Sequence, residues 1–283
     1  MDALVLAIAA LILSRLIRPE TFEPYRRPVI QALESTTDRL PNSLRLPVMV
    51  GGGIVLSAIV AFLPVLGPLV TFAALLLILG YGRVTEDALA ILTELRGGSF
   101  SQAQLHLSQF SGVDADQLDE NGVARVAVET QTRRLFTDVF SPLAWFALGG
   151  LPGLVLLWTS RIIAERDGSG ETSQRWVSLL NWIPLRLYAL TVGIMGDRER
   201  SRSIWKHQAR EFSDGETGII VAATAGALRV RLGGSRCVKG VMVREPIIGD
   251  GDDCARYHIE EMVALGQRSL LLWAVGGLLI TAL

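Results

Sequence analysis

Charge is scarce in this chain: 19% of its 283 residues are Asp, Glu, Lys or Arg, against about 25% in an ordinary globular domain. Cysteine and histidine are scarcer still, at two and three residues. The cysteines have no CxxC spacing and His106, His207 and His258 are scattered, so the sequence offers no ligand cluster for zinc or haem and no disulfide framework. Cys237 and Cys254 are expected as free thiols in a reducing compartment. A net charge of −1 excludes the basic footprint of a nucleic-acid-binding protein.

What the chain has instead is apolar sequence, with 50% hydrophobic residues and a mean hydropathy of +0.39. Residues 46–82 form a run of 37 without one charge. A bilayer core about 30 Å thick takes roughly 20 helical residues, so this run predicts two spans joined by a tight turn at 62–68, where Pro64, Gly67 and Pro68 fall. Residues 3–14, 139–160, 176–196 and 269–283 bring the apolar segments to about six. Residues 217–228 are uncharged but too short to span, and are expected to pack inside the protein or dip into the membrane. The expectation is an all-α polytopic membrane protein. It would comprise an N-terminal anchor and hairpin (1–82), a helical cytoplasmic domain (83–138) and a C-terminal membrane domain (139–283).

Six arginines lie between residues 15 and 45, and the positive-inside bias puts that segment in the cytoplasm of a bacterium, with the protein multi-pass in its inner membrane. Helical periodicity in 83–138 places Leu89, Leu92 and Leu95 on one stripe and Leu105, Phe110 and Leu118 on later ones. Ser99 and Gln102 resemble a capping box, and Asn121 stands where a helix through Val123, Val126 and Ala127 should begin. On that helix Arg125, Glu129 and Arg133 are four apart, as in i,i+4 ion pairs.

Two features break the apolar pattern. Gly149-Gly150-Leu151-Pro152-Gly153, midway through 139–160, either kinks a spanning helix or turns a re-entrant pair of half-helices; the kinked span is the expectation. Arg186 sits within 176–196, where a charge at the bilayer centre costs about 2.5–3.5 kcal/mol. It must snorkel, find an acidic partner or bind an anion.

Asn181-Trp182-Ile183-Pro184-Leu185-Arg186-Leu187, Ala225-Gly226-Ala227-Leu228-Arg229-Val230-Arg231-Leu232-Gly233-Gly234 and Arg244-Glu245-Pro246-Ile247-Ile248-Gly249-Asp250-Gly251 resemble the CobD/CbiB superfamily. So do Ser141-Pro142-Leu143-Ala144-Trp145 and Gly149-Gly150. The resemblance spans roughly residues 80–283. It implies one of two branches: membrane adenosylcobinamide-phosphate synthases, which use ATP to join a cobyric acid carboxyl to an aminopropanol phosphate, or AmpE proteins, linked to β-lactamase regulation.

The departures favour the AmpE branch. The synthases carry Gly-Asp-Pro and His-Pro-Val after their first span, and the region from Arg18-Pro19-Glu20 has neither. In place of their Glu-Ser-x-x-Glu-Asn-x-x-Asp-Gly, this chain keeps Glu129 but has Arg133, Arg134 and Thr137. Two aspartates before Asn-Trp-x-Pro are replaced by Val177 and Ser178, and Asp214-Gly215-Glu216-Thr217-Gly218 stands where the synthases show Ser-Pro-Asn-Ala-Gly. A ligase handling magnesium-ATP needs carboxylates for the metal, and here cations and glycines remain while carboxylates are lost. The resemblance therefore implies a regulatory or sensory protein of β-lactamase induction and cell-wall recycling, with no cofactor and no catalytic residue. The alternatives are an ATP-dependent ligase, which alone would need ATP and Mg²⁺, and a transporter. A pocket lined by Glu129, Asn181, Arg186, Arg231, Arg244 and Asp250 is expected where the motifs converge. With more cations than acids it would prefer a phosphate, nucleotide or muropeptide, and no metal. The structural alternative is that Glu129 or Asp250 pairs permanently with Arg186.

Overall fold

The computed structural model describes residues 3–16, 41–64, 66–166 and 171–282, with isolated positions between 24 and 39. Most of the arginine-rich segment 15–45 lies outside the described residues. The helices are α1 Ala3–Leu16, α2 Asn42–Ala61, α3 Leu66–Ile78, α4 Tyr81–Arg96, α5 Phe100–Ser111, α6 Glu120–Leu135, α7 Ser141–Arg166, α8 Glu171–Met195, α9 Arg198–Gln208, α10 Gly215–Leu228 and α11 Tyr257–Ala282. A π-helical turn, Phe136–Phe140, joins α6 to α7. Between α10 and α11 run five short strands, β1 Val230–Gly233, β2 Arg236–Val238, β3 Val241–Val243, β4 Ile247–Ile248 and β5 Asp252–Asp253.

Among the described residues, three stretches, Leu66–Arg96, Glu120–Arg166 and Thr172–Met195, are long and apolar enough to cross a membrane, and Pro47–Val60 and Gly215–Leu228 are shorter apolar helices. Large apolar side chains such as Leu56, Ile59, Leu69, Leu190 and Leu271 are exposed, a pattern that suits lipid better than water. The chain is an all-α membrane protein with a small β element.

The helices group into two units, one of residues 1–82, 137–184 and 281–283, the other of 83–136 and 185–280. Residues 139–283, expected as one membrane domain, are thus shared between them. In the first unit the expected hairpin is present as α2 and α3. Pro68 stands in the first turn of α3, where its missing N–H costs nothing. α1 packs on α3, and α2 packs along α7, burying Leu6, Ala10, Val50, Leu75, Leu154 and Leu157.

α7 corrects the expectation of a kinked span. Gly150 has φ 59° and ψ −143°, which reverses the chain. A Cβ on Gly153 would lie 2.3 Å from the carbonyl oxygen of Trp145, although residues eight apart in a straight helix are about 12 Å apart. Farther from the tip, Arg161 donates to the Thr137 carbonyl and to Ser141 Oγ. Val139–Ser160 is therefore a helical hairpin whose arms hold eleven and ten uncharged residues on either side of Gly150. That is roughly 15 Å per arm, half of a hydrocarbon core of about 30 Å, the dimension of a re-entrant pair.

In the second unit α4 buries Val84, Ala88, Ile91, Leu92 and Leu95, while Leu89 is exposed. Ser99 precedes α5 as expected, but its side chain makes no capping bond. α6 begins two residues earlier than expected, because Asp119 rather than Asn121 caps it by accepting the Gly122 N–H at 2.8 Å. α10 is buried through most of its length, as its short uncharged run implied. Asp214 caps it, accepting from the Glu216 and Thr217 N–H groups at 3.1 Å each. The stretches around 232–234 and 244–251 contain strands: β1 pairs antiparallel with β4 (Leu232 opposite Ile248) and parallel with β5 (Val230 opposite Asp252).

Candidate functional site

The polar centre of the second unit is built on α6, whose inner face is buried from Gly122 to Thr132. Glu129 is 1% exposed. Its carboxylate accepts the Gly233 N–H at 2.5 Å and pairs with the Arg236 guanidinium, itself only 10% exposed. Gly233 can present that amide because it lies at φ 89°, with the space for a Cβ closed by the Pro246 carbonyl oxygen at 2.0 Å. The expected i,i+4 pairs through Glu129 are thus replaced by a long-range pair. A buried carboxylate needs dedicated donors, whereas surface i,i+4 pairs contribute only about 0.2–0.5 kcal/mol.

Beside it, hydroxyls link three helices: Thr132 Oγ1 lies 2.7 Å from both Tyr188 Oη and Thr224 Oγ1. Tyr188 is fully buried against Phe136, with ring centroids 5.6 Å apart. This network holds α6, α8 and α10 in register around Glu129.

The residues expected to share one pocket are distributed as follows. Arg231 pairs with Asp253 at 2.8 Å, and Asp250 with Arg200 at 3.6 Å. Arg244 is exposed and Arg186 half-buried. Glu129 and Asp250, the acids expected to pair with Arg186, are engaged by Arg236 and Arg200. Asn181 belongs to the first unit. There Ser141 Oγ donates to Asn181 Oδ1 and accepts from Arg161 Nη2, both at 2.9 Å, a knot at the base of the α7 hairpin.

A cavity of about 370 Å³ opens near the start of α6, lined by Asp119, Asn121, Arg125, Arg231, Asp253 and Cys254 among others. Asp119 is engaged in capping and Asp253 in its pair with Arg231. Arg125 Nε is buried and has no hydrogen-bond partner among the described residues. Two arginines and two aspartates line the cavity, so its formal charges balance, and Arg125 brings a buried N–H without a partner to it.

The family profile described as CobD/Cbib protein matches residues 27–266. The chain belongs to the CobD/CbiB family. Cobalamin biosynthesis protein CobD of Stutzerimonas stutzeri is 32% identical over 226 residues, covering 77% of this chain and 75% of that protein. The protein of the same name in Chromobacterium violaceum is 31% identical over 222 residues, covering 76% and 71%. That of Clostridium perfringens is 28% identical over 200 residues, covering 66% and 64%. No solved structure matches the chain.

A reaction that uses magnesium and ATP would call on carboxylates at these positions. The retained carboxylate, Glu129, already has Gly233 and Arg236 as partners, and the next acids of the synthase pattern are Arg133 and Thr137 here.

Sequence reasoning missed Arg236, Arg161 and the role of Arg125. Nothing in the sequence around Arg236 marks it. Arg161 did have a signal: Asp138 and Arg161 end the uncharged run at nearly equal distances from Gly149-Gly150, as the two ends of a hairpin would.

Proposed function

We propose that this chain is a CobD/CbiB member that has left the synthase reaction, an AmpE-like regulatory or sensory protein of the bacterial inner membrane. The observation that carries this reading is the engagement of Glu129. The last carboxylate of the acidic pattern is folded into a buried pair with Arg236 and an N–H bond from Gly233, and cations or neutral residues stand at the other acidic positions. An anionic small molecule such as a phosphate, nucleotide or muropeptide, bound without a metal, would be held in the cavity near the start of α6 by the buried, unpartnered Arg125 N–H. A tie to β-lactamase induction and cell-wall recycling follows from the AmpE resemblance. The specific test is a deletion of the gene in a host with inducible β-lactamase. Altered induction, restored by the wild-type chain and not by Arg125→Gln, supports the reading; unchanged induction contradicts it.

The relatives' shared name favours a second reading, adenosylcobinamide-phosphate synthase, which alone calls for ATP and Mg²⁺. Under that reading Glu129 would have to exchange its present partners for a metal.

A further inference from the structure

We propose that the groove between the last turns of α8 and the helix α9 is a binding site for an anionic glycerophospholipid. The groove encloses about 530 Å³, with Ala189, Leu190, Gly193 and Ile194 on its α8 wall and Arg198, Arg202, Trp205 and Lys206 on its α9 wall. The two walls differ in chemistry. Leu187, Leu190 and Ile194 form an exposed apolar stripe along the last three turns of a helix long and apolar enough to span. After two linking residues, Gly196 and Asp197, α9 begins.

α9 is amphipathic in a way that aims its cations at the groove. Ser201 and Ile204 are buried and hold the helix against the protein. On another face Arg200 is taken up by Asp197 at 3.8 Å and Asp250 at 3.6 Å. Arg198, Arg202 and Lys206 are four residues apart and share one stripe. None of these three has an ion-pair partner among the described residues, and all three are exposed. A helix lying where a span leaves the bilayer, with unneutralised cations above an apolar wall and a half-buried Trp205 between them, matches the depth profile of a phospholipid. An acyl chain fits along Leu187, Leu190 and Ile194, the phosphate among the three cations, and the indole at the headgroup level. A free phosphate would use the cations but leave the apolar wall to water.

The test uses the full-length protein in detergent and in nanodiscs. Wild type, R198Q/R202Q/K206Q and the single variant R202Q are compared, with R244Q as an exposed-arginine control. Lipid retention is read by native mass spectrometry and stabilisation by thermal unfolding, in phosphatidylglycerol, in phosphatidylcholine, and with inorganic phosphate or glycerol 3-phosphate in solution. The proposal expects phosphatidylglycerol to be retained and to stabilise wild type and R244Q. R202Q should weaken retention roughly fivefold, the equivalent of about one charge near an anionic surface, and the triple variant should abolish it while unfolding like wild type in phosphatidylcholine. Equal stabilisation by both lipids, an unchanged phosphatidylglycerol effect in R202Q, or an equal effect from the soluble phosphates would overturn it.

Discussion

Glu129 on α6 and Arg236 on β2, over a hundred residues apart in sequence, form a buried ion pair that Gly233 completes from the end of β1. Breaking such a pair from one side leaves an uncompensated charge, at a cost of about 3–5 kcal/mol. Arg236→Met and Glu129→Gln should each lower the unfolding temperature in detergent clearly. The double variant should recover part of the loss, because it removes both charges together. Strictly additive losses would show that the pair is not coupled.

The hairpin of α7 makes a topological prediction. If the chain reverses at Gly150, Asp138 and Glu165, at the two ends of the hairpin, lie on the same side of the membrane. Single cysteines at these positions, in a background without Cys237 and Cys254, should be labelled by an impermeant maleimide from one side only, and from the same side. Labelling from opposite sides would restore a simple span. Gly153→Val, which would press a side chain onto the Trp145 backbone, should sharply reduce the yield of folded protein.

Thiol reactivity should separate the two cysteines. Both are free. Burial pushes the Cys254 thiol up to about 12, which leaves it ~1 part in 10,000 thiolate at pH 8 and unreactive until the protein unfolds. Cys237 is raised by the hydrogen bond its thiol donates to Asp114 Oδ2 at 3.1 Å, then by burial and by the Asp114 charge. Asp114→Asn removes the charge and should accelerate labelling of Cys237 at pH 8 without affecting Cys254. A slower or unchanged rate would contradict this.

His258 predicts the direction of one pH effect. Its ring is buried, Nδ1 lies 2.9 Å from the Ala255 N–H, and burial lowers its pKa below 6.5 against the opposing pull of Glu261 and Asp252. A lowered folded-state value means the neutral ring is favoured. The associated stability is complete above the unfolded value and is lost as pH falls through the folded one. Between pH 7.5 and 5, His258→Gln should lose less thermal stability than wild type; an equal loss would place the sensitivity elsewhere.

Much of the fold was legible because membrane helices announce themselves by uncharged length. The hairpin at 46–82, the short α10 and the helical nature of 83–138 followed from that and from periodicity. The reversal at Gly150 was harder, since Gly149-Gly150 and Pro152 are compatible with a bend or a turn, and only the close approach of Gly153 to Trp145 decides between them. The short strands were hidden because β4 and β5 are two residues each and their partner β1 is separated from them by intervening chain. At the site, Glu129 and Gly233 stand in two of the family-like stretches and meet in the fold. Pairing was not legible: Arg236, 107 residues away from Glu129, is brought there by the β1–β2 connection and by no local pattern.

The central claim, that this chain does not make adenosylcobinamide phosphate, is tested most directly by complementation. A strain lacking its own synthase is supplied with cobyric acid and given either this chain, with its presence in the membrane verified, or a restored copy of its own synthase gene. The account predicts growth with an active synthase and none with this chain. Cobalamin-dependent growth supported by this chain would contradict it and return Glu129 to the ligase reaction.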